Sequence, residues 1–154
     1  MGMLREVQTA EAFEAVWPVL ALAVGASAEE RRCGLRERYL GAPGWRLLAS
    51  GSGGATQAVI GLRLCGSTAE ITHLAVAPDR RGQGLGRALI EAVRRGHAEV
   101  RLWQAETDDE AIDFYRRLGF RVTDLGERYP GVRRWRCALP GLGQPAPGDE
   151  GPEA

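Results

Sequence analysis

The 154-residue chain contains no lysine and no asparagine, so every one of its 20 basic residues is an arginine. Without lysine there is no Gly-Lys-Ser/Thr start to a helix, which excludes a nucleotide-binding P-loop. A GC-rich genome explains the bias better than thermal adaptation, because lysine enrichment is the commoner signal in hyperthermophiles. Cysteine is scarce: Cys33, Cys65 and Cys137 form an odd, widely spaced set with no C-x-x-C. The two histidines, His73 and His97, are far apart in the chain. These spacings argue against a structural zinc site and lead us to expect no metal. Free thiols in a reducing cytosol are the simplest reading, hence a cytoplasmic protein. Charge of neither sign is in excess, with 20 acidic residues against 20 basic ones. A dedicated nucleic-acid binder would be basic. No apolar run approaches the ~20 residues of a membrane span. The start, MGMLREVQTA, has an early acidic residue and no apolar h-region, so no secretory signal is expected.

What is present fits one domain with a single core, expected over residues 1–139. Leu4–Val7 reads as a short strand. Thr9 is placed to N-cap a helix with Phe13, Val16, Trp17, Leu20 and Val24 on one face; Pro18 should kink or split it, and Gly25 ends it. Ser27 is placed to cap a second helix to about Leu40, with Leu35 and Tyr39 on one side. Strands follow at Trp45–Ser50, Gln57–Cys65 and Ala69–Val76, the first two joined by a turn at Gly51–Gly54. Leu85, Ala88, Leu89, Ala92 and Val93 have helical spacing, closed by Gly96. A strand at Glu99–Ala105 precedes a helix capped by Thr107 or Asp108, with Ala111, Phe114, Tyr115 and Leu118 inward and Gly119 as its stop. Phe120–Leu125 and Val132–Leu139 are the last strands, about a turn at Pro130-Gly131. Residues 140–154, rich in Gly, Pro, Asp and Glu, are expected to be disordered. The predicted order is β-α-α-β-β-β-α-β-α-β-β, a mixed α/β (α+β) sheet with flanking helices.

The most informative segment is ITHLAVAPDRRGQGLGRAL, residues 71–89. A strand runs through Pro78 into a turn with glycines at 82, 84 and 86, and a helix starts at once. Side-chain-free positions and the N–H groups of a first helical turn can converge on one anionic group, where the helix also carries partial positive charge. Strand, glycine turn and helix together make a pyrophosphate cradle. A dinucleotide fingerprint is excluded, because the third glycine of Gly82-x-Gly84-x-Gly86 comes too early for G-x-G-x-x-G.

Arg81-Gly82-Gln83-Gly84-Leu85-Gly86 matches the R/Q-x-x-G-x-G/A motif of the GNAT superfamily, the acetyl-CoA-dependent N-acyltransferases, and Leu74-Ala75-Val76-Ala77-Pro78 resembles that family's strand into the turn. Downstream, Ala111-Ile-Asp-Phe-Tyr115-Arg-Arg-Leu-Gly-Phe120 resembles the family's A-x-x-F-Y-x-x-x-G-F helix. The element order agrees with the family over residues 4–139. The resemblance implies a GNAT-type, mostly antiparallel sheet and acetyl-CoA as co-substrate. It implies that the pantetheine arm pairs with the backbone of Leu74, Ala75 and Val76, as a peptide adds to a sheet edge. The diphosphate would meet the segment Arg81, Gly82, Gln83, Gly84, Leu85, Gly86 and Arg87. The family often has asparagine where this chain has Asp108, which when ionised accepts but does not donate.

An alkylammonium acceptor with a pKa near 10.4 must lose a proton, at a cost of roughly 4–5 kcal/mol at neutral pH. The departing thiolate needs a donor, and a phenol suits it. The resemblance makes Tyr115 that general acid, although Tyr115 also sits on an ordinary apolar stripe. Glu70 and His73 share one strand. With period 2, Glu70, Thr72 and Leu74 lie on one face and Ile71, His73 and Ala75 on the other. Family bases fall where Glu70 and Thr72 stand, so Glu70 is preferred and His73 is the alternative; a bulge would reverse the parity. The expected acceptor is a primary amine of a small molecule or peptide, read by Trp17, Arg36, Tyr39, Tyr129 or Arg134, and dimers are common in the family. Two alternatives share the fold: a non-catalytic CoA-binding sensor, and a transferase of a larger acyl group.

Overall fold

The computed structural model describes residues 3–52 and 54–143. Among the described residues the seven strands are β1 (Leu4–Glu6), β2 (Trp45–Ser52), β3 (Ala55–Cys65), β4 (Thr68–Val76), β5 (Leu102–Thr107), β6 (Arg121–Tyr129) and β7 (Val132–Pro140). The four helices among them are α1 (Ala10–Val24), α2 (Ala28–Gly41), α3 (Leu85–Gly96) and α4 (Ile112–Arg117), and Pro78–Arg80 adds a 3-10 turn. The sheet order is β1-β2-β3-β4-β5-β7-β6. The β4–β5 pair is parallel, whereas β1–β2, β2–β3, β5–β7 and β6–β7 are antiparallel. The expected element order is therefore the observed one, and the fold is a mixed, mostly antiparallel sheet with flanking helices. The chain divides into two compact units, residues 1–64 with 72–93, and residues 65–71 with 94–154.

In the first unit, Thr9 does cap α1, its Oγ1 accepting from the Ala12 N–H at 3.0 Å. Such a cap contributes about 1 kcal/mol. The helix runs unbroken through Pro18 to Val24, contrary to a split there. The physical reason is packing: Phe13, Val16, Trp17, Val19 and Leu20 are buried around the proline. Each such side chain contributes roughly 1.5–3 kcal/mol, against ~3 kcal/mol for a helical proline. Those residues form one core with Leu35 and Tyr39 of α2 and Leu47, Ala49 and Val59 of the sheet. Ser27 stands at the N-cap of α2 but makes no side-chain capping bond, so its expected role is not realised. The β2–β3 hairpin is longer than expected, pairing through Ser52↔Ala55 with a register shift at Ser50/Gly51.

In the second unit, β5 begins at Leu102, three residues later than its sequence suggests. Val100 is buried, as a strand residue would be, but here the backbone is turning: the Val100 N–H donates to the His97 carbonyl and the Arg101 N–H to the Ser67 carbonyl. From Leu102 the chain pairs on both sides, with β4 from Thr68↔Leu102 to Ile71↔Ala105 and with β7 from Leu102↔Pro140 to Thr107↔Trp135. Trp103 fills the centre, fully buried. The buried face of α4 is Ile112 and Tyr115, while Ala111, Phe114 and Leu118 are half-buried. Pro140 still belongs to β7; of the tail expected to be disordered, residues 144–154 lie outside the described residues.

Candidate active site

Of the residues expected to hold the cofactor, those from Leu74 to Arg87 fall in the first unit. β4 delivers Leu74, Ala75 and Val76, and the Ala77 N–H is fixed by the Gln57 carbonyl at 2.8 Å. Pro78, Asp79 and Arg80 make the 3-10 turn, and every residue from 78 to 84 is exposed. Gly82 and Gly84 both have φ of +78°, and a Cβ built on either would have nothing within 4 Å. Only glycine adopts that conformation at little cost, and beside both lies open space. The first bond of α3 runs from the Ala88 N–H to the Gly84 carbonyl at 3.0 Å. The N–H groups of Leu85 and Gly86 therefore precede the helical ladder. Leu85 and Gly86 are buried and anchor the turn from below. The Arg81 Nε donates to the Val76 carbonyl at 3.3 Å, folding that side chain back along the end of β4. Arg87 leans toward Glu91 at 3.8 Å. Gln83 is exposed beside the glycines.

Further back on β4, His73 Nδ1 lies 2.5 Å from the Tyr39 hydroxyl. Burial, reinforced by the charge of Arg31, pushes the His73 pKa down to about 4. That removes the intrinsic advantage of histidine over a carboxylate. Moving a proton from an ordinary alkylammonium to such an imidazole would cost roughly 8–9 kcal/mol. Glu70 is half-buried and lies opposite Gln104 in the β4–β5 ladder.

Glu70, Asp108 and Tyr115 belong to the second unit. Tyr115 is 6% exposed, with its ring edge-on to Phe114 and Phe120 at 5.1 Å each. Burial, with a contribution from Cys137, holds its pKa well above the ordinary phenol value. Tyr115 is thus protonated throughout the range in which proteins fold, as a proton donor requires. The same surroundings act on sulfur, since burial pushes the Cys137 thiol up to about 11. The Asp108 Oδ1 accepts from the Glu110 N–H at 3.1 Å and the Ala111 N–H at 3.3 Å. This side chain closes the turn into α4.

The five acceptor candidates separate. Trp17 is core: its Nε1 donates to Glu29 at 2.8 Å and Arg32 lies over its ring. Arg36 pairs with Glu14 at 3.1 Å. Tyr39 is the buried partner of His73 just described. Tyr129 and Arg134 do line a cavity of about 430 Å³, together with Glu106, Arg128 and Val132, which the sequence had not marked. Arg134 spans it, with its Nε 3.6 Å from the Glu106 carboxylate. Among the described residues, no group of His, Cys, Asp and Glu is arranged to hold a metal ion. No helix among them is long and apolar enough to cross a membrane.

A family model for the acetyltransferase (GNAT) domain matches residues 47–122. An uncharacterised N-acetyltransferase of Methanocaldococcus jannaschii is 47% identical over 62 residues, 37% of this chain and 27% of that protein. A mycothiol acetyltransferase of Clavibacter sepedonicus is 36% identical over 92 residues, 56% of this chain and 30% of its own length. A peptidyl-lysine N-acetyltransferase of Escherichia coli is 38% identical over 63 residues, 37% and 43% respectively. The matched part is thus less than half the length of each of these relatives. Among solved structures, an aminoglycoside 6'-N-acetyltransferase complexed with coenzyme A superposes with a TM-score of 0.73 at 15% identity, covering 93% of this chain and 99% of that one. A GNAT family acetyltransferase from Elizabethkingia anophelis with acetyl-CoA bound gives 0.70 at 19%, covering 90% and 97%. The structural likenesses show a shared fold. With the family match spanning both the glycine turn and α4, the chain belongs to the GNAT superfamily.

Proposed function

We propose that the protein is an N-acetyltransferase that moves an acetyl group from acetyl-CoA to a primary amine of a small molecule or peptide, by direct attack in a ternary complex. The observation that carries this reading is the cradle. Two positive-φ glycines open onto empty space immediately before the N-terminus of a 12-residue helix. That arrangement suits a diphosphate. Leu74, Ala75 and Val76 would hold the amide-bearing arm by backbone pairing, with Arg81, kept over the strand end by the Val76 carbonyl, and Arg87 adding charge. Asp108 would contribute only through the oxygen it does not use in its own turn.

Bound acetyl-CoA would supply the acetyl group as a thioester, so that a C–N bond forms at the carbonyl carbon as the C–S bond breaks and the sulfur leaves as thiolate. The amine must surrender one proton before attack and a second as the amide forms, the second replacing the proton that Tyr115 gives to the thiolate. Glu70, directly or through water, is the proposed acceptor of the first, from its place on β4; with a pKa of about 4, His73 is no more basic than an ordinary carboxylate. Tyr115 is the proposed general acid. With ordinary values, a phenol would protonate a thiolate about 1.5 units uphill. Burial raises the Tyr115 phenol and the neighbouring Cys137 thiol alike, so the transfer remains uphill. The acceptor class is supported by the printed names of the relatives, one a mycothiol acetyltransferase and one a peptidyl-lysine N-acetyltransferase.

The test is release of CoA thiol from acetyl-CoA in the presence of amines and lysine peptides, in the parent and in Tyr115→Phe. Turnover with at least one amine, reduced in Tyr115→Phe, supports the proposal. Tight CoA binding with no turnover on any amine would favour a CoA sensor instead, and turnover only with longer acyl thioesters would shift the donor.

A further inference from the structure

Consecutive side chains of a β-strand leave opposite faces. On β4 the Tyr39 hydroxyl is nevertheless 2.5 Å from both the Thr72 Oγ1 and the His73 Nδ1. One oxygen reaches two consecutive residues only where the pleat is broken. The faces change at the same place: Thr72, an even position, meets Tyr39, yet the residues beyond it that share the Tyr39 core are the odd Ala75 and Ala77. The neighbouring strand is built to admit the phenol. A Cβ on Gly61 of β3 would fall 1.9 Å from the Tyr39 Oη, 2.6 Å from its Cζ and 2.7 Å from the Thr72 Oγ1. A glycine inside a strand marks such a close approach. Tyr39 itself is held rigidly, 4% exposed, in the core of the first unit and edge-on to Trp45 at 5.3 Å.

The hydroxyl is also chemically suited to this place. It donates one proton and accepts through its lone pairs, so it satisfies a hydroxyl and a neutral imidazole together. A phenyl ring of the same shape satisfies neither. The break it stabilises lies immediately before Leu74, Ala75 and Val76.

We infer that Tyr39 is a positioning residue for the cofactor arm: its hydroxyl, admitted by Gly61, fixes the break in β4 at Thr72–His73 and so sets how Leu74–Val76 present their backbone. This rests on the proposed CoA reading. It assigns Tyr39 a role that its position on α2, outside both sequence motifs, does not suggest, and it touches neither the reacting atoms nor the diphosphate cradle.

The consequence is a split between two halves of one ligand. Tyr39→Phe keeps the ring and its packing and removes only the hydroxyl. Binding is measured by titration calorimetry with two probes, coenzyme A and 3′-phospho-ADP, the second lacking the pantetheine arm. Tyr39→Phe should weaken coenzyme A by about ten-fold, the scale of one or two buried hydrogen bonds, and leave 3′-phospho-ADP within about two-fold. Thr72→Val, which removes the other hydroxyl, should act in the same direction and serves if Tyr39→Phe does not fold. Equal loss for both probes would show general loosening of the unit and overturn the inference. Unchanged coenzyme A binding in a variant of a parent that binds it normally would overturn the inference alone. A parent that binds neither probe would overturn the CoA reading and the inference together.

Discussion

Gly84→Ala and Gly84→Asn separate the two reasons for a glycine in the cradle. With φ at +78°, any L side chain at 84 strains the backbone, yet the Cβ would meet nothing within 4 Å. The cost to the free protein is therefore conformational, not steric, and amounts to about 1–2 kcal/mol for alanine. In a domain of this size that lowers Tm by roughly 2–8 °C. Asparagine tolerates the left-handed region far better, so Gly84→Asn should recover much of that loss. Binding should not recover with it, because the added side chain projects into the space proposed for the diphosphate. Thermal unfolding and CoA titration on the same three proteins make the comparison. The expected result is a destabilised alanine variant, an asparagine variant close to the parent in Tm, and weakened CoA binding in both. Parent-like CoA affinity in Gly84→Asn would refute the placement of the ligand. An unchanged Tm in Gly84→Ala would refute the backbone argument.

Removing the Tyr115 hydroxyl should lower kcat by about 10²–10⁴-fold, the usual contribution of a positioned acid, with CoA affinity little changed; steady-state kinetics beside calorimetry would show it. Glu70→Gln should lower kcat in the same assay while leaving CoA binding intact. The neutral His73 links stability to pH. Its folded pKa, about 4, lies below the ordinary 6.5, so the unfolded chain takes up the proton first. The stability it contributes is present above about pH 6.5 and is lost as pH falls toward 4, by at most about 3 kcal/mol. Urea unfolding of His73→Gln against the parent between pH 7 and 4 should show a shallower loss. Thr9→Ala removes the α1 cap and should cost about 1 kcal/mol in the same measurement, with CoA affinity unchanged.

The parts of this molecule that local chemistry dictates were legible in the sequence. The cradle is one, because positive φ at Gly82 and Gly84 and a helix start at Leu85 lie within four consecutive residues. The cap at Thr9 and the stop at Gly25 are others. What escaped depends on distant partners. Val100 looked like a strand residue because it is apolar and buried, but whether its backbone pairs is decided by His97 and, beside it, by Ser67. Pro18 looked like a break because the burial of five α1 side chains cannot be summed from propensity alone. On α4, the period of 3.6 over a helix of only six residues leaves the inward face ambiguous by one position, and Ile112 took the place assigned to Ala111. Tyr39 was visible only as one of several aromatic candidates. Its hydroxyl gains a role through Gly61 and Thr72, respectively 22 and 33 positions later in the chain; the interior glycine of β3 was the available signal.

The proposed function is transfer of an acetyl group from acetyl-CoA to an amine. Its most direct measurement is CoA thiol release from acetyl-CoA across a panel of small amines and lysine peptides, with acetylated product confirmed by mass. Amine-dependent release of one thiol per acetyl group transferred is expected, reduced when a side chain at residue 84 projects into the cradle. Full CoA binding without thiol release on any amine would contradict it.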